Sequence, residues 1–258
     1  MRGVWIICAK ELKSLFISPM FYIVTLMITG LLSLNFFVYL RAFAAQQGMA
    51  SFSGGGDNLA NIHMGVFVKH LSVMNLILIF LVPALTMRLL SEERKMRTFD
   101  LLLTSPVTSA EIVLGKYFAA LGAILVWMLL ALVYPVATRY VVVFSWAPLL
   151  VSFLGIFMLA GVYAAMSLFC SSLTEQSLIA FVMSVVLNIL LWFLGSVADA
   201  VDGQTARAIF EHISLNTHLS ALVFGTIRTS SVIFLVSVMA FFVFLTERVV
   251  ESFRWRSL

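Results

Sequence analysis

An all-α membrane protein, six transmembrane helices preceded by an amphipathic interfacial helix, is the fold class this sequence predicts, and three observations carry the expectation. Of its 258 residues 62% are apolar and 11% charged, whereas a water-soluble domain carries about 25% charged residues. Six apolar runs, near 20–40, 71–90, 117–138, 148–170, 177–197 and 231–247, reach the roughly 20 residues needed to cross about 30 Å of hydrocarbon. Helices satisfy their own backbone in lipid, so the runs read as an α-bundle forming one domain over 1–258. Third, the basic residues are distributed unevenly between the two sides that these runs define.

With the N-terminus inside, one side holds Arg2, Lys10, Lys13, Arg88, Arg94, Lys95, Arg97, Lys116, Arg248, Arg254 and Arg256. The other holds Arg41, Lys69, Arg139, Arg207 and Arg228. Eleven against five places both termini in the cytoplasm by the positive-inside rule. The net charge of +4 is therefore a topology signal, and no nucleic-acid partner is invoked. Cys8 and Cys170 fall near the cytoplasmic face, where thiols stay reduced, so no disulfide framework is expected.

Along the chain, residues 1–18 come first. Trp5, Cys8, Leu12, Leu15 and Phe16 recur at helical spacing while Lys10, Glu11, Lys13 and Ser14 fill the remaining arc, the pattern of a helix lying in the membrane interface. It serves either as a topogenic anchor or as a mechanical element. The apolar run that follows exceeds the roughly 7–15 residues of a signal-peptide core, so it is expected to remain as the first span. Ser18 as N-cap and Pro19 at the first helical position start that span. The outer loop from Arg41 to Lys69 contains SFSGGGDN. No Lys-Ser/Thr pair follows these glycines, so the stretch reads as a connector and not as a phosphate cradle.

Arg88 to Lys116 is the only densely charged segment, and its part over 91–116 is the expected cytoplasmic loop. Met96 to Leu103 can form a short helix that Thr104, Ser105 and Pro106 interrupt. Thr108 and Glu111 then stand at capping-box spacing and start the helix of span three. A short helix joined to a span by a capped elbow can transmit a push, although a solvated hairpin would have the same composition. In span four, Gly155, Ala160, Gly161, Ala164 and Ala165 line one face and permit close helix approach. The region 198–230 is too short for two further spans and reads as short helices or a re-entrant hairpin on the outer side.

The chemistry present excludes several classes. No Walker-type nucleotide signature occurs, so ATP hydrolysis by this chain alone is not expected. The spans hold neutral Asn35, Asn75 and Asn188 instead of mid-membrane carboxylates, which argues against built-in ion coupling. His63, His70, His212 and His218 match no tight metal-binding spacing. No span pairs a nucleophile with a base. Neither a catalytic residue, a metal nor a bound cofactor is expected.

The segment SEERKMRTFDLLLTSPVTSAEIVLGKY, Ser91 to Tyr117, resembles the first cytoplasmic loop of type-2 ABC exporter permeases. In that family acidic and basic residues precede a T-x-[ED]-L-L-L-[ST]-x-P-[VI] core and an E-I-[VL]-x-G-K exit. Here the core is Thr98, Asp100, Leu101, Leu102, Leu103, Thr104, Pro106 and Val107, and the exit is Glu111, Ile112, Gly115 and Lys116. The N-terminal Ala9-Lys10-Glu11-Leu12 and the six spans extend the resemblance over the whole chain. Phe224 to Trp255 is similar to the gliding-motility-associated branch, although Arg228 stands where that branch commonly has an acidic residue.

The resemblance implies a type V exporter fold, in which two permeases, alike or related, join two ATPase subunits in a bacterial inner membrane. ATP and magnesium would belong to the ATPase. The ATPase-coupling surface would comprise Glu92, Glu93, Arg97, Thr98, Phe99, Asp100, Leu101, Leu102, Thr104 and Pro106, with 97–104 as the coupling helix. Ser171 to Glu175 would form a second contact. The connecting helix would be 4–16, with Trp5, Lys10, Glu11, Leu12 and Lys13. Membrane lipids and an accessory membrane protein with a periplasmic domain are further partners that the branch implies. The function expected is a permease coupling a partner's ATP hydrolysis to export. The alternative is an ATPase-driven transmitter of force or signal that moves no substrate.

Overall fold

The computed structural model describes residues 2–52, 61–96, 107–200 and 204–256, and every regular element among them is helical. In order these are α1 (Arg2–Ile17), α2 (Pro19–Phe52), a π-helical turn (His63–Phe67) opening into α3 (Val68–Thr86), then α4 (Arg88–Lys95), α5 (Ser109–Arg139) and α6 (Trp146–Leu173). They continue as α7 (Ser177–Ala200), α8 (Gln204–Ile213), α9 (Leu215–Val223) and α10 (Thr229–Arg256). Six helical stretches are long and apolar enough to cross a membrane: α2, α3 with α4, α5, α6, α7 and α10. The six runs read from composition are these six.

Their ends differ from the expected ones. Arg41 to Phe52 continue α2 instead of opening a loop, because Ala42, Ala44, Ala45, Gln46 and Gln47 favour helix and no breaker intervenes before Gly48. On the far side of the glycine-rich stretch, helix resumes by His63, well before Lys69. The glycines themselves lie outside the described residues. Pro83 sits inside α3. The Met87 amide donates to the Pro83 carbonyl at 2.8 Å, so α3 and α4 form one continuous rod of 33 residues from His63 to Lys95. At 1.5 Å per residue that rod is about 50 Å long, and the 31 residues of α5 make about 46 Å. Both outreach the hydrocarbon by several turns.

α6 is the axis of the bundle. Of its most apolar stretch 72% is buried inside the chain, against 17% for α2, α7 and α10, which face outward. The small residues of α6 make that central position possible. Ala160, Ala164 and Ala165 are fully buried, Gly155 meets Leu222 of α9, and Gly161 meets Met239 of α10 and the Tyr117 hydroxyl. At the end opposite α4, α9 folds back over α6, and the turn after it requires Gly225 at φ +84° pressed against Pro148. Aromatic rings of Phe36, Phe67, Tyr134 and Phe144 pack around His63 and His70 there.

Candidate functional site

Charged residues from several helices converge at one end, where α1, α4, the start of α5 and the elbow between α6 and α7 meet. The local structure there begins with a capping box at the head of α5. The Glu111 amide donates to Thr108 Oγ1 at 3.2 Å, and the Thr108 amide donates to the Glu111 carboxylate at 3.4 Å. Two first-turn donors are thereby satisfied, as the spacing of the two residues predicts.

α1 is seated on this head. Gly3 lies against Glu111, Ile7 against Gly115 and Leu12 against Gly122, a register that advances along both helices together. α1 is therefore aligned with α5 rather than crossing it, and α2 continues the same line. Phe21 stacks on Trp127 at 5.8 Å, Trp127 Nε1 donates to Thr25 Oγ1 at 2.9 Å, and the Tyr134 hydroxyl donates to the Thr29 carbonyl at 2.9 Å. The apolar stripe read in α1 is only partly its docking face. Cys8 is buried and Leu12, Leu15 and Phe16 half-buried, but Trp5 is 74% exposed, and Lys10 and Lys13 are exposed too. Gly115 explains the intimacy of the pair. A Cβ there would stand 2.8 Å from Ile7 Cβ and 3.1 Å from the Val4 carbonyl.

Lys116 is the centre of the site. Its side chain is 1% exposed, and Nζ lies 3.0 Å from Glu11 Oε1 of α1 and 2.9 Å from Glu93 Oε1 of α4. It also donates to the Leu89 carbonyl at 2.6 Å. One ammonium thus joins three helices with its three donors used. A buried charge persists only when paired in this manner.

A second set of bonds fixes α4 to the α6–α7 elbow. Ser171 Oγ accepts from the amides of Leu90 and Ser91 at 3.3 and 3.2 Å and donates to the Met87 carbonyl at 2.9 Å. A residue of another helix therefore supplies an acceptor to the first turn of α4, a role usually taken by a local N-cap. Arg94 donates to the Ser172 carbonyl at 2.7 Å, reaches Glu175 at 3.4 Å and lies 4.2 Å over the Phe253 ring of α10. Glu92 pairs within its own helix with Arg88 at 3.7 Å.

Of the residues assigned from sequence, the structure brings Glu11, Glu93 and Glu175 into this assembly, while Lys10, Lys13 and Glu92 stand at its edge. Arg97, Thr98, Phe99, Asp100, Leu101, Leu102, Thr104 and Pro106 lie outside the described residues. Lys116 and Ser171 are the members that sequence reasoning undervalued. Lys116 was legible as a basic residue at a span end and as the last residue of the exit motif, and nothing in its neighbours signals that it is buried.

Among the described residues no group of three His, Cys, Asp or Glu side chains gathers as a metal-ligand set. His218 Nε2 lies 2.9 Å from the His212 carbonyl and Nδ1 3.1 Å from Ser231 Oγ. A carbonyl only accepts, so Nε2 carries the proton and Nδ1 accepts from Ser231. Burial holds this imidazole below its ordinary pKa. Asn75 accepts from the Tyr163 hydroxyl at 3.3 Å and Asn188 donates to the Ile79 carbonyl at 3.3 Å, so both tie helices together.

Six helices long and apolar enough to cross a membrane define a multi-pass membrane protein, with one charged end that is braced between helices. Residues 57–211 match the family described as ABC-2 family transporter protein, and the chain belongs to that family. It is accordingly the permease subunit of an ABC transporter, the non-catalytic membrane component whose ATPase resides in a separate subunit. The match extends from the segment before the π-helical turn through most of α8, including Lys116 and Ser171. No curated protein matches the chain.

Proposed function

We propose that this permease is the membrane half of an exporter of type V architecture in a bacterial inner membrane, of the gliding-motility-associated branch, with both termini cytoplasmic. A second permease copy and two ATPase subunits complete it. In this reading 97–104 is the coupling helix seated in a groove of the ATPase, Ser171 to Glu175 a second contact, and α1 the connecting helix, whose exposed Trp5 meets the membrane interface. The observation that carries the reading is the bracing immediately beside 97–104. α4, which leads directly into that segment, is bonded through Lys116 to α1 and α5 and through Ser171 and Arg94 to α6 and the elbow. A displacement imposed on the loop by the closing ATPase dimer is thus delivered to four helices, with little slack to absorb it.

The test is purification from native membranes in mild detergent, identification of what travels with the chain, and measurement of ATP hydrolysis. A stoichiometric ATPase whose association or stimulation is lost in Asp100→Lys or Leu102→Arg, with insertion intact, supports coupling through this loop. Normal coupling in those variants overturns it. An accessory membrane protein with a large periplasmic domain, together with no measurable substrate movement, would shift the function from export to transmission of force.

A further inference from the structure

Beside the braced end, between α1–α2 on one side and α3–α4 on the other, lies a cavity of about 630 Å³, within the size range of ligand sites. Its lining changes character along its depth. The floor is apolar, formed by Phe21, Val24, Leu81, Leu85 and Trp127. The rim carries Lys10, Arg88, Glu11, Glu92 and Glu93 with the hydroxyls of Ser14 and Ser18. Trp127 stands eleven residues beyond Lys116 on α5, so floor and rim are separated by about 16 Å along that helix. The floor lies at the level of a spanning helix, and Met20 and Met96, both exposed, flank the opening.

An occupant of such a cavity needs an apolar tail and a polar head, and the rim specifies the head. Lys116 engages Glu11 and Glu93 through one oxygen each from behind. The rim further holds the loosely paired Arg88 and Glu92, 3.7 Å apart and about half exposed, and the exposed Lys10, whose ammonium lies 4.0 Å from Glu11. A purely anionic head would meet the Glu92 carboxylate and a purely cationic one Arg88 and Lys10, so a head carrying both charges is matched best. The acceptors at the rim are a carboxylate and hydroxyls, which bond a primary ammonium, and the aromatic rings that would cage a quaternary one lie at the floor instead.

We propose that this cavity binds a phospholipid bearing a primary ammonium, of the ethanolamine type, from the leaflet at the charged end of the bundle. Its phosphate is held by Arg88 and Lys10, its ammonium by Glu92, and its acyl chains run over Phe21 and Trp127. The site does not depend on the export reading, because its readout is lipid occupancy of the chain and not ATP turnover.

The test uses the full chain with Trp127 as its single tryptophan (Trp5, Trp146, Trp192 and Trp255 replaced by Phe), reconstituted in phosphatidylcholine vesicles. Phosphatidylethanolamine, phosphatidylglycerol or phosphatidylcholine with brominated chains is then titrated in, and quenching of Trp127 gives the relative association constant of each. The ethanolamine lipid is expected to associate about fivefold more strongly than the other two, the order of one charge-assisted hydrogen bond at a half-exposed rim. Glu92→Gln should bring that ratio to about one, whereas Arg88→Gln removes a phosphate contact common to all three lipids and should weaken them together with the ratio kept. Leu81→Trp in the same background, with Trp127 now Phe, reports from the opposite wall and should show the same preference. Equal association of all three lipids, a preference for phosphatidylglycerol, or a preference unaffected by Glu92→Gln overturns the proposal.

Discussion

Replacing Lys116 by Met isolates the energetics of the braced end. The side chain is 1% exposed, and its ammonium lies within 3.0 Å of both Glu11 and Glu93. Deleting it leaves two carboxylate oxygens at most about 6 Å apart, which repel by about 3 kcal/mol at an effective dielectric of about 20. Removing one partner of a buried ion pair typically costs about 3–5 kcal/mol. Glu11 and Glu93 are 13% and 17% exposed and can recover some hydration, so the lower figure, about 3 kcal/mol, is the expected loss. The carbonyl of Leu89 loses its partner as well. The combined Lys116→Met, Glu11→Gln, Glu93→Gln variant removes the repulsion and should recover most of the deficit, since neutral replacement of a whole buried ion set is often close to neutral. Reversible unfolding of the purified chain by SDS in mixed micelles, followed by circular dichroism, measures both. A single variant within about 0.5 kcal/mol of the parent, a difference typical of inconsequential substitutions, would refute the account, as would a triple variant less stable than the single one.

Other expectations follow from the same geometry. Ser171→Ala removes the acceptor shared by the Leu90 and Ser91 amides and should cost about 1–2 kcal/mol in the same assay, with faster amide exchange in α4 than in α6. Gly115→Leu has no room between Ile7 and Val4. It should release α1 from α5, read as new protease cleavage near residues 3–16, while Gly122→Ala, facing only flexible Leu12 atoms, should not. At the opposite end, burial lowers the pKa of His218, so the unfolded chain takes up this proton before the folded one as pH falls. Stability from α8–α9 packing should be complete above about pH 6.5 and decline below it. His218→Gln should flatten that slope, and an unchanged slope would show that His218 is not its source.

Much of this architecture was legible in the sequence because the bilayer constrains it so strongly. Length and apolarity alone delimit the six spans, since any segment crossing hydrocarbon must be helical and mostly apolar. The capping box at Thr108 and Glu111 was legible because it is a local arrangement set by spacing within one turn. The small residues of α6 likewise announced close packing. The ends of α2 and α3 were misplaced because hydropathy marks where lipid stops, while helix propensity and the π-helical turn decide where helix stops. The amphipathic stripe of α1 named its apolar residues but not their separate neighbours: Cys8, Leu12, Leu15 and Phe16 turn toward the chain while Trp5 stays exposed, because periodicity cannot distinguish a protein neighbour from a membrane surface.

What the sequence by itself determined about this protein is therefore its solvent: how many helices cross the membrane, where local caps start them, and where charge is confined. Only the tertiary structure decided which charges face one another. Glu11, Glu93 and Lys116 belong to three different helices and are brought within 3.0 Å by packing between segments up to 105 residues apart, and Ser171 reaches α4 across 81. No local propensity encodes such pairings. They follow from the shape of the buried faces, and the desolvation cost of an unpaired charge then compels each buried ionic group to find its partner.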